Sequence, residues 1–316
     1  MKVLVVGCGS IGGRHIANLL KISGIEEIFV YTKRKNCLNN INDRKNKIRI
    51  VKNLNKLKVD FAIICNETYK HIKTAITLAK EGVHLFIEKP ISNKLNGIDE
   101  LKRIIKEKKI ILFVAYNLRF IGSLKYIKKY LSHKHLGDLY FAKIEVGQYL
   151  PHWRGNIDYK KSYSASKRKG GGVALDLSHE IDYMQYLFGF PIYWKTFKTK
   201  VSKLKINTED VFEGLYLFKN NFICNVHSDY LQRPIRRIMR IVGDKGILIC
   251  DFIKKYIVIK NHDKEIIINR KGLFDMEKTY MDEMNHFINA IRKNRKSHID
   301  LDEGIKVLRL LEDKNV

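Results

Sequence analysis

Gly7-Cys8-Gly9-Ser10-Ile11-Gly12 fits G-x-G-x-x-G, directly after the apolar run Val3 to Val6 and before a segment whose apolar side includes Ile16, Leu19 and Leu20. In that context the first glycine makes the turn, the second lets a pyrophosphate approach the backbone, and the third lets a helix pack close with its N-terminus facing the anion. The pattern predicts dinucleotide binding by Gly7, Gly9, Ser10, Ile11 and Gly12. About 20 positions on, where an acidic residue would hold the ribose 2′-hydroxyl of NAD, the second strand ends Tyr31-Thr32-Lys33-Arg34. Thr32 is suited to hydrogen-bond a 2′ group, and Lys33 and Arg34 to neutralise a 2′-phosphate, which favours NADP over NAD. The competing reading is two more solvated cations in a basic chain.

Two further segments carry chemistry. Glu88-Lys89-Pro90 closes a strand at its carboxyl end, where ligands bind in open α/β sheets. Pro90 biases Lys89 away from helix, and a lysine there can donate to a developing oxyanion or help activate a hydroxyl. In Gly170-Gly171-Gly172-Val173-Ala174-Leu175-Asp176-Leu177-Ser178-His179-Glu180-Ile181-Asp182, the residues Asp176, His179 and Asp182 stand at i, i+3 and i+6, roughly along one side of a helix. His179 suits a general base with a carboxylate to orient it; the blander alternative is a capped helix with a satisfied core histidine. Asp and His at this spacing lack a clear third ligand, so no metal is expected.

These residues need elements to position them. At 316 residues the chain suggests two packed units. Short apolar runs alternate with helical periodicity over the first of them, the signature of βαβ units and a parallel sheet. Strands are expected at Val3 to Val6, Glu27 to Tyr31, Asp60 to Cys65, His84 to Ile87 and Ile110 to Ala115, with a helix carrying Ile72, Ala75, Ile76 and Ala79. The expected fold is α/β: a doubly wound Rossmann domain over 1–119, then an α/β domain over 120–316 with an open, mainly antiparallel sheet. Within the latter, a polar, aromatic-rich loop runs from Tyr149 to Lys169, β-rich runs from Trp194 to Ile268 read as an antiparallel meander, and a late helix carries Tyr280, Met284, Phe287, Ile288 and Ile291 on one face.

Composition narrows the function class. Lys and Arg number 60 against 33 Asp and Glu, a net charge of +27, with 45% hydrophobic residues. The basic runs, such as Arg44 to Lys58 and Lys102 to Lys109, look like solvated faces without an aromatic platform, which disfavours nucleic acid. No run approaches the roughly 18 apolar residues of a membrane span, and the N-terminus has no signal-peptide layout, so a cytoplasmic protein without membrane contact is expected. Five scattered cysteines without CxxC read as reduced thiols.

Jointly, Gly7 to Gly12, Cys65-Asn66-Glu67-Thr68-Tyr69-Lys70-His71, Glu88-Lys89-Pro90, Tyr116-Asn117-Leu118-Arg119-Phe120, the GGG and HEID stretch and the Gly243 to Gly246 turn resemble the Gfo/Idh/MocA family of NAD(P)-dependent oxidoreductases over nearly the whole chain. The resemblance implies that Asn66, His71, Glu88, Lys89 and Asn117 join the glycine loop around the cofactor, that Lys89 and His179 lie beside the nicotinamide, and that Asp176 lies near the substrate. It also implies a homo-oligomer, dimer or tetramer, formed through the open sheet. The usual spacing in the family is D-x-x-x-H; here Asp176 precedes His179 by one residue less, which puts the role of Asp176 in question.

The loop containing Tyr149, Trp153, Arg154, Tyr159, Tyr163 and Arg168 looks like a subgroup from sugar and surface-polysaccharide pathways. Trp153, Tyr159 and Tyr163 are suited to stack on a sugar or base, Arg154 or Arg168 to meet a phosphate, and Asp182 to orient His179 or the sugar. An ordered arm against a neighbouring subunit is the alternative. The expected activity is hydride transfer between nicotinamide and a secondary hydroxyl or keto group of a sugar, quite naturally a nucleotide-linked one. Its rivals are a redox-neutral, NAD-dependent glycoside hydrolase of the same fold and a non-catalytic cofactor-binding protein.

Overall fold

The computed structural model describes residues 1–34, 38–39, 41–43, 46–54, 57–153 and 158–313. Its chain forms two compact units, Met1–Tyr116 with Tyr280–Ile305, and Asn117–Thr279 with Lys306–Val316. A single division at 119/120 thus leaves out one feature: the stretch 280–305 packs with the first unit.

The first unit comprises β1 (Lys2–Val6), α1 (Ser10–Leu19), β2 (Glu27–Tyr31), β3 (Ile48–Val51), β4 (Phe61–Ile64), α2 (His71–Lys80), β5 (His84–Glu88), α3 (Ile98–Lys108) and β6 (Leu112–Ala115). The strands lie in the order β3-β2-β1-β4-β5-β6, all pairs parallel, the doubly wound arrangement whose strand ends form a ligand crevice. Central strands covered on both faces need continuous apolar runs, and β4 and β6 are buried at every position. The edge strand β3, only half covered, lies inside the basic run that reads as a solvated face.

The second unit carries α4 (Gly122–Ser132), β7 (Leu139–Gly147), α5 (Val173–Asp176), α6 (His179–Phe188), β8 (Tyr193–Thr199), β9 (Val211–Leu217), β10 (Ile223–Asp229), β11 (Arg236–Gly243), β12 (Gly246–Asp251), β13 (Tyr256–Lys260) and β14 (Glu265–Ile268). Eight strands form one sheet, β14-β13-β12-β11-β7-β10-β9-β8. It departs from a pure meander because β7 inserts between β11 and β10, pairing parallel to β10. One face is buried through Ile144, Phe212, Tyr216, Val226 and Met239, while Phe197, Leu215 and Ile267 stand exposed, the alternation of a sheet with one covered face.

Two helices close the chain, α7 (Met276–Arg292) and α8 (Leu301–Leu310). From Tyr280 onward α7 belongs to the first unit, where Phe287 meets Phe61 and Phe86 edge-on at 5.4 and 5.6 Å between ring centroids. Among the described residues no helix is long and apolar enough to cross a membrane. Cys65, Cys224 and Cys250 are buried free thiols. Cys8 is disulfide-bonded, a correction to the expectation of five reduced thiols, because spacing along a chain does not announce a pairing made in space.

Candidate active site

In the first unit the predicted residues converge at the carboxyl ends of β1, β2, β4 and β5. Gly7 has φ +97°, and a Cβ there would stand 2.7 Å from the Asn66 nitrogen; one on Gly12 would stand 2.2 Å from the Gly7 carbonyl oxygen. These glycines let β4 and α1 close onto the loop. Gly9 differs, since among the described residues its Cβ would meet only Arg34 Nη1, at 3.8 Å. That open cradle lies at the start of α1, where among the described residues no side chain caps the first turn and no acidic residue lies in it, as an anion-binding helix N-terminus requires. Ser10 and Ile11 form that first turn.

The Arg34 backbone N–H donates to Thr32 Oγ1 over 3.0 Å, which leaves the threonine O–H as a donor. Lys33 and Arg34 are exposed. Asn66 donates from Nδ2 to Thr74 Oγ1 at 3.0 Å, while its Oδ1 is buried without a hydrogen-bond partner among the described residues. A buried acceptor left unsatisfied costs about 1–3 kcal/mol, and a ribose hydroxyl would relieve it. The open Gly9 cradle and this acceptor fit a nicotinamide dinucleotide.

At the end of β5, Glu88 Oε1 lies 2.6 Å from His15 Nε2, and Glu88 Oε2 accepts the Lys89 backbone N–H at 3.2 Å. His71 is buried, its two ring nitrogens 3.0 Å from the Pro90 carbonyl oxygen and 2.9 Å from that of Asn66. Burial pushes its pKa down although both carbonyls pull the other way. His71 therefore sits between the segments after β4 and β5, each ring nitrogen at hydrogen-bond distance from a backbone carbonyl, of which the neutral imidazole donates to one. Lys89 is half-buried.

The second unit holds the remaining residues. Asp176 ends α5 and His179 begins α6, with Leu177 at φ −102°, ψ 30° between them. The single helix expected to align Asp176, His179 and Asp182 is thus broken, because the Leu177 backbone departs from helical dihedrals. Asp176 is buried and accepts the Tyr230 hydroxyl at 2.6 Å; burial, then the Asp176 charge, pushes the Tyr230 pKa well up, so the hydroxyl stays a donor. Trp153 packs edge-on against Tyr230 at 5.2 Å and donates from Nε1 to the Gln148 carbonyl. Glu209 Oε1 accepts the Ala174 N–H at 3.3 Å, its own pKa raised by burial.

His179 and Tyr163 are half-buried and Arg168 is exposed. Tyr149 lies under the Arg233 guanidinium, 3.3 Å from the ring centroid. Asp182 is fully buried, and both its oxygens are held by Arg119, the closest contact 2.7 Å from Nη2. Asn117, also buried, donates to Thr279 Oγ1 at 2.7 Å. Arg154 lies outside the described residues.

Sequence reasoning missed His15, Glu283, Tyr230 and Glu209. Glu283 had a signal: it stands three residues after Tyr280 and four before Phe287, so helical periodicity puts an acid on the buried face. His15 likewise falls on the buried side of α1. Tyr230 and Glu209 meet the α5 segment only through folding, and nothing local marks them.

Comparison with known proteins agrees with this architecture. Residues 1–116 match the family model for the Gfo/Idh/MocA oxidoreductases, NAD-binding Rossmann fold, and residues 124–249 match the GFO/IDH/MocA C-terminal domain. Myo-inositol 2-dehydrogenase of Thermotoga maritima is 23% identical, the alignment covering 98% of this chain and 94% of that protein. The fold is shared with an oxidoreductase of Agrobacterium radiobacter solved with NAD+, L-tartaric acid and magnesium, at 16% identity, 98% and 94% coverage and a TM-score of 0.83. It is shared also with UDP-N-acetylglucosamine 3-dehydrogenase of Acidithiobacillus ferrooxidans, at 20% identity, 98% and 94% coverage and a TM-score of 0.76. The chain belongs to the Gfo/Idh/MocA family of oxidoreductases, with the family's NAD-binding Rossmann domain followed by its C-terminal domain.

Proposed function

We propose that this protein is an NAD(P)-dependent oxidoreductase acting on a secondary hydroxyl or keto carbon of a sugar, with NADP preferred and a nucleotide-linked sugar of surface-polysaccharide synthesis as the favoured substrate class. The observation that carries the cofactor half is the open cradle at Gly9 with Arg34 at its edge. The relatives carry the substrate half, since one acts on an inositol and one on a UDP-linked sugar by their names.

When bound, the nicotinamide accepts or returns the hydride. In the oxidative direction His179 takes the hydroxyl proton while the carbon-bound hydrogen leaves as hydride, and Lys89 stabilises the negative charge that builds on the oxygen. Asp176, already holding the Tyr230 hydroxyl, orients the sugar beside Trp153. Asp182 serves the site indirectly, because its carboxylate is committed to Arg119. The exposed Phe197, Leu215 and Ile267 on the open sheet face support assembly into a homo-oligomer, and the reading places the enzyme in the cytoplasm.

Absorbance at the nicotinamide band, with NAD and NADP against free and UDP-, GDP- and CMP-linked sugars, tests this function. A signal confined to one sugar supports it. Release of free sugar without net change in reduced cofactor would instead identify redox-neutral glycoside hydrolysis.

A further inference from the structure

Next to Lys89, through its neighbour Glu88, the first unit holds a group of ionisable side chains to which the proposed chemistry assigns no step. His15, Glu88 and Glu283 each bring one donor atom within 4.8 Å of the other two. His15 and Glu283 are 0% exposed, and the walls are aromatic, with Phe86 edge-on to His15 at 5.1 Å and Phe287 one turn beyond Glu283. Glu88 is the polar hinge of the group: it is held by His15 at 2.6 Å and accepts the Lys89 backbone N–H. Neither oxygen of Glu283 has a hydrogen-bond partner among the described residues.

Two arrangements fit such a set, a bound cation or a shared proton. Two ligands of one tetrahedral ion with bonds near 2.0 Å lie about 3.3 Å apart, whereas His15 and Glu88 are at hydrogen-bond distance, 2.6 Å. Two carboxylates enclosed together cannot both stay ionised cheaply. Glu88 accepts N–H groups and keeps 12% of its side chain in solvent; Glu283 has neither compensation. Among the described residues, the Glu283 charge also acts on Cys65 and Tyr280, and Arg14 is drawn over the Tyr280 ring at 4.4 Å.

We infer that Glu283 is a positioning residue, a neutral carboxylic acid that donates its O–H to Glu88, directly after reorientation or through one enclosed water, and so fixes the strand end that carries Lys89. Burial, reinforced by the nearby Glu88, pushes the Glu283 pKa well above the ordinary carboxyl range. The inference rests on the role proposed for Lys89. It makes Glu283, far along the chain from the cofactor motifs, part of the apparatus that places the reactive ammonium.

The test combines infrared spectroscopy with kinetics on the full chain. Without cofactor at neutral pH, the protein should show the carbonyl stretch of a protonated, enclosed carboxylic acid, shifted in D2O and absent from Glu283→Gln. Glu283→Leu should lower kcat about ten- to a hundredfold through misplacement of the neighbouring ammonium, with the alkaline limb of the kcat profile displaced, and Glu283→Gln should recover most of the loss because its amide still donates. Absence of the infrared band overturns the inference, as does a Glu283→Leu profile identical to wild type. A stoichiometric divalent ion in purified protein, lost from Glu283→Gln, overturns it in favour of a metal site. Lys89→Met, run alongside, separates the failures: undiminished turnover there refutes the role of Lys89 while the infrared band still reports the state of Glu283.

Discussion

The crevice end of the first unit and the broken helix of the second solve the same problem, holding reactive side chains still, by opposite means. At the glycine loop and β5, backbone does the holding: Gly7 and Gly12 bring elements into contact, and His71 sits between the Asn66 and Pro90 carbonyls. Around α5 and α6, side chains hold side chains, as Tyr230 does Asp176 and Arg119 does Asp182. A cofactor common to many enzymes is met by geometry the main chain can encode, whereas a substrate particular to one enzyme is met by replaceable side chains.

That contrast breaks most visibly at Arg119. If its pair with Asp182 is a structural clamp, Arg119→Met leaves a buried carboxylate without its guanidinium and lowers stability by about 3–5 kcal/mol in chemical denaturation. Adding Asp182→Leu should then recover most of the loss; failure to recover would return Asp182 to a direct role with the sugar. Tyr230→Phe removes one donor from Asp176 and should cost about 1–3 kcal/mol of stability while raising KM for the sugar and leaving the cofactor Kd unchanged. A shift in cofactor affinity instead would blur the distinction between the two regions.

On the cofactor side, Thr32→Asp places a negative charge where the 2′ group is expected. The Kd ratio of NADP to NAD should rise on the order of tenfold, the worth of one charge-assisted hydrogen bond; an unmoved ratio refutes the 2′-phosphate assignment. A further effect is in pH. Glu283 holds its proton more tightly folded than unfolded, so its stabilising contribution is complete below the ordinary glutamate range and declines as pH rises toward the raised value, by about 1.4 kcal/mol per pH unit. Glu283→Gln should remove that decline, which denaturation midpoints at several pH values would show as a flatter slope above the glutamate range.

How far the sequence reveals each region follows from the same difference. The first unit is legible because its determinants are local: glycines at fixed offsets after an apolar run, and Glu88-Lys89-Pro90 at a strand end. What escapes there is β3, whose half-covered edge position needs little apolar sequence, and the stretch 280–305, which returns to the first unit across more than half the chain's length. In the second unit, strand existence is legible from alternation, but the parallel pairing of β7 with β10 and the meeting of Asp176 with Tyr230 are contacts across 54 or more residues. The break at Leu177 was hidden for another reason: His179-Glu180-Ile181-Asp182 keeps helical spacing whether or not the turn before it belongs to the same helix.

The most direct test of the central claim is turnover of Lys89→Ala with the cofactor Kd measured on the same preparation. Loss of hydride transfer with a Kd within about threefold of wild type, less than 1 kcal/mol of binding, is the predicted result. Unchanged turnover would contradict the account, since the strand end that the first unit holds so firmly would then carry no part of the chemistry.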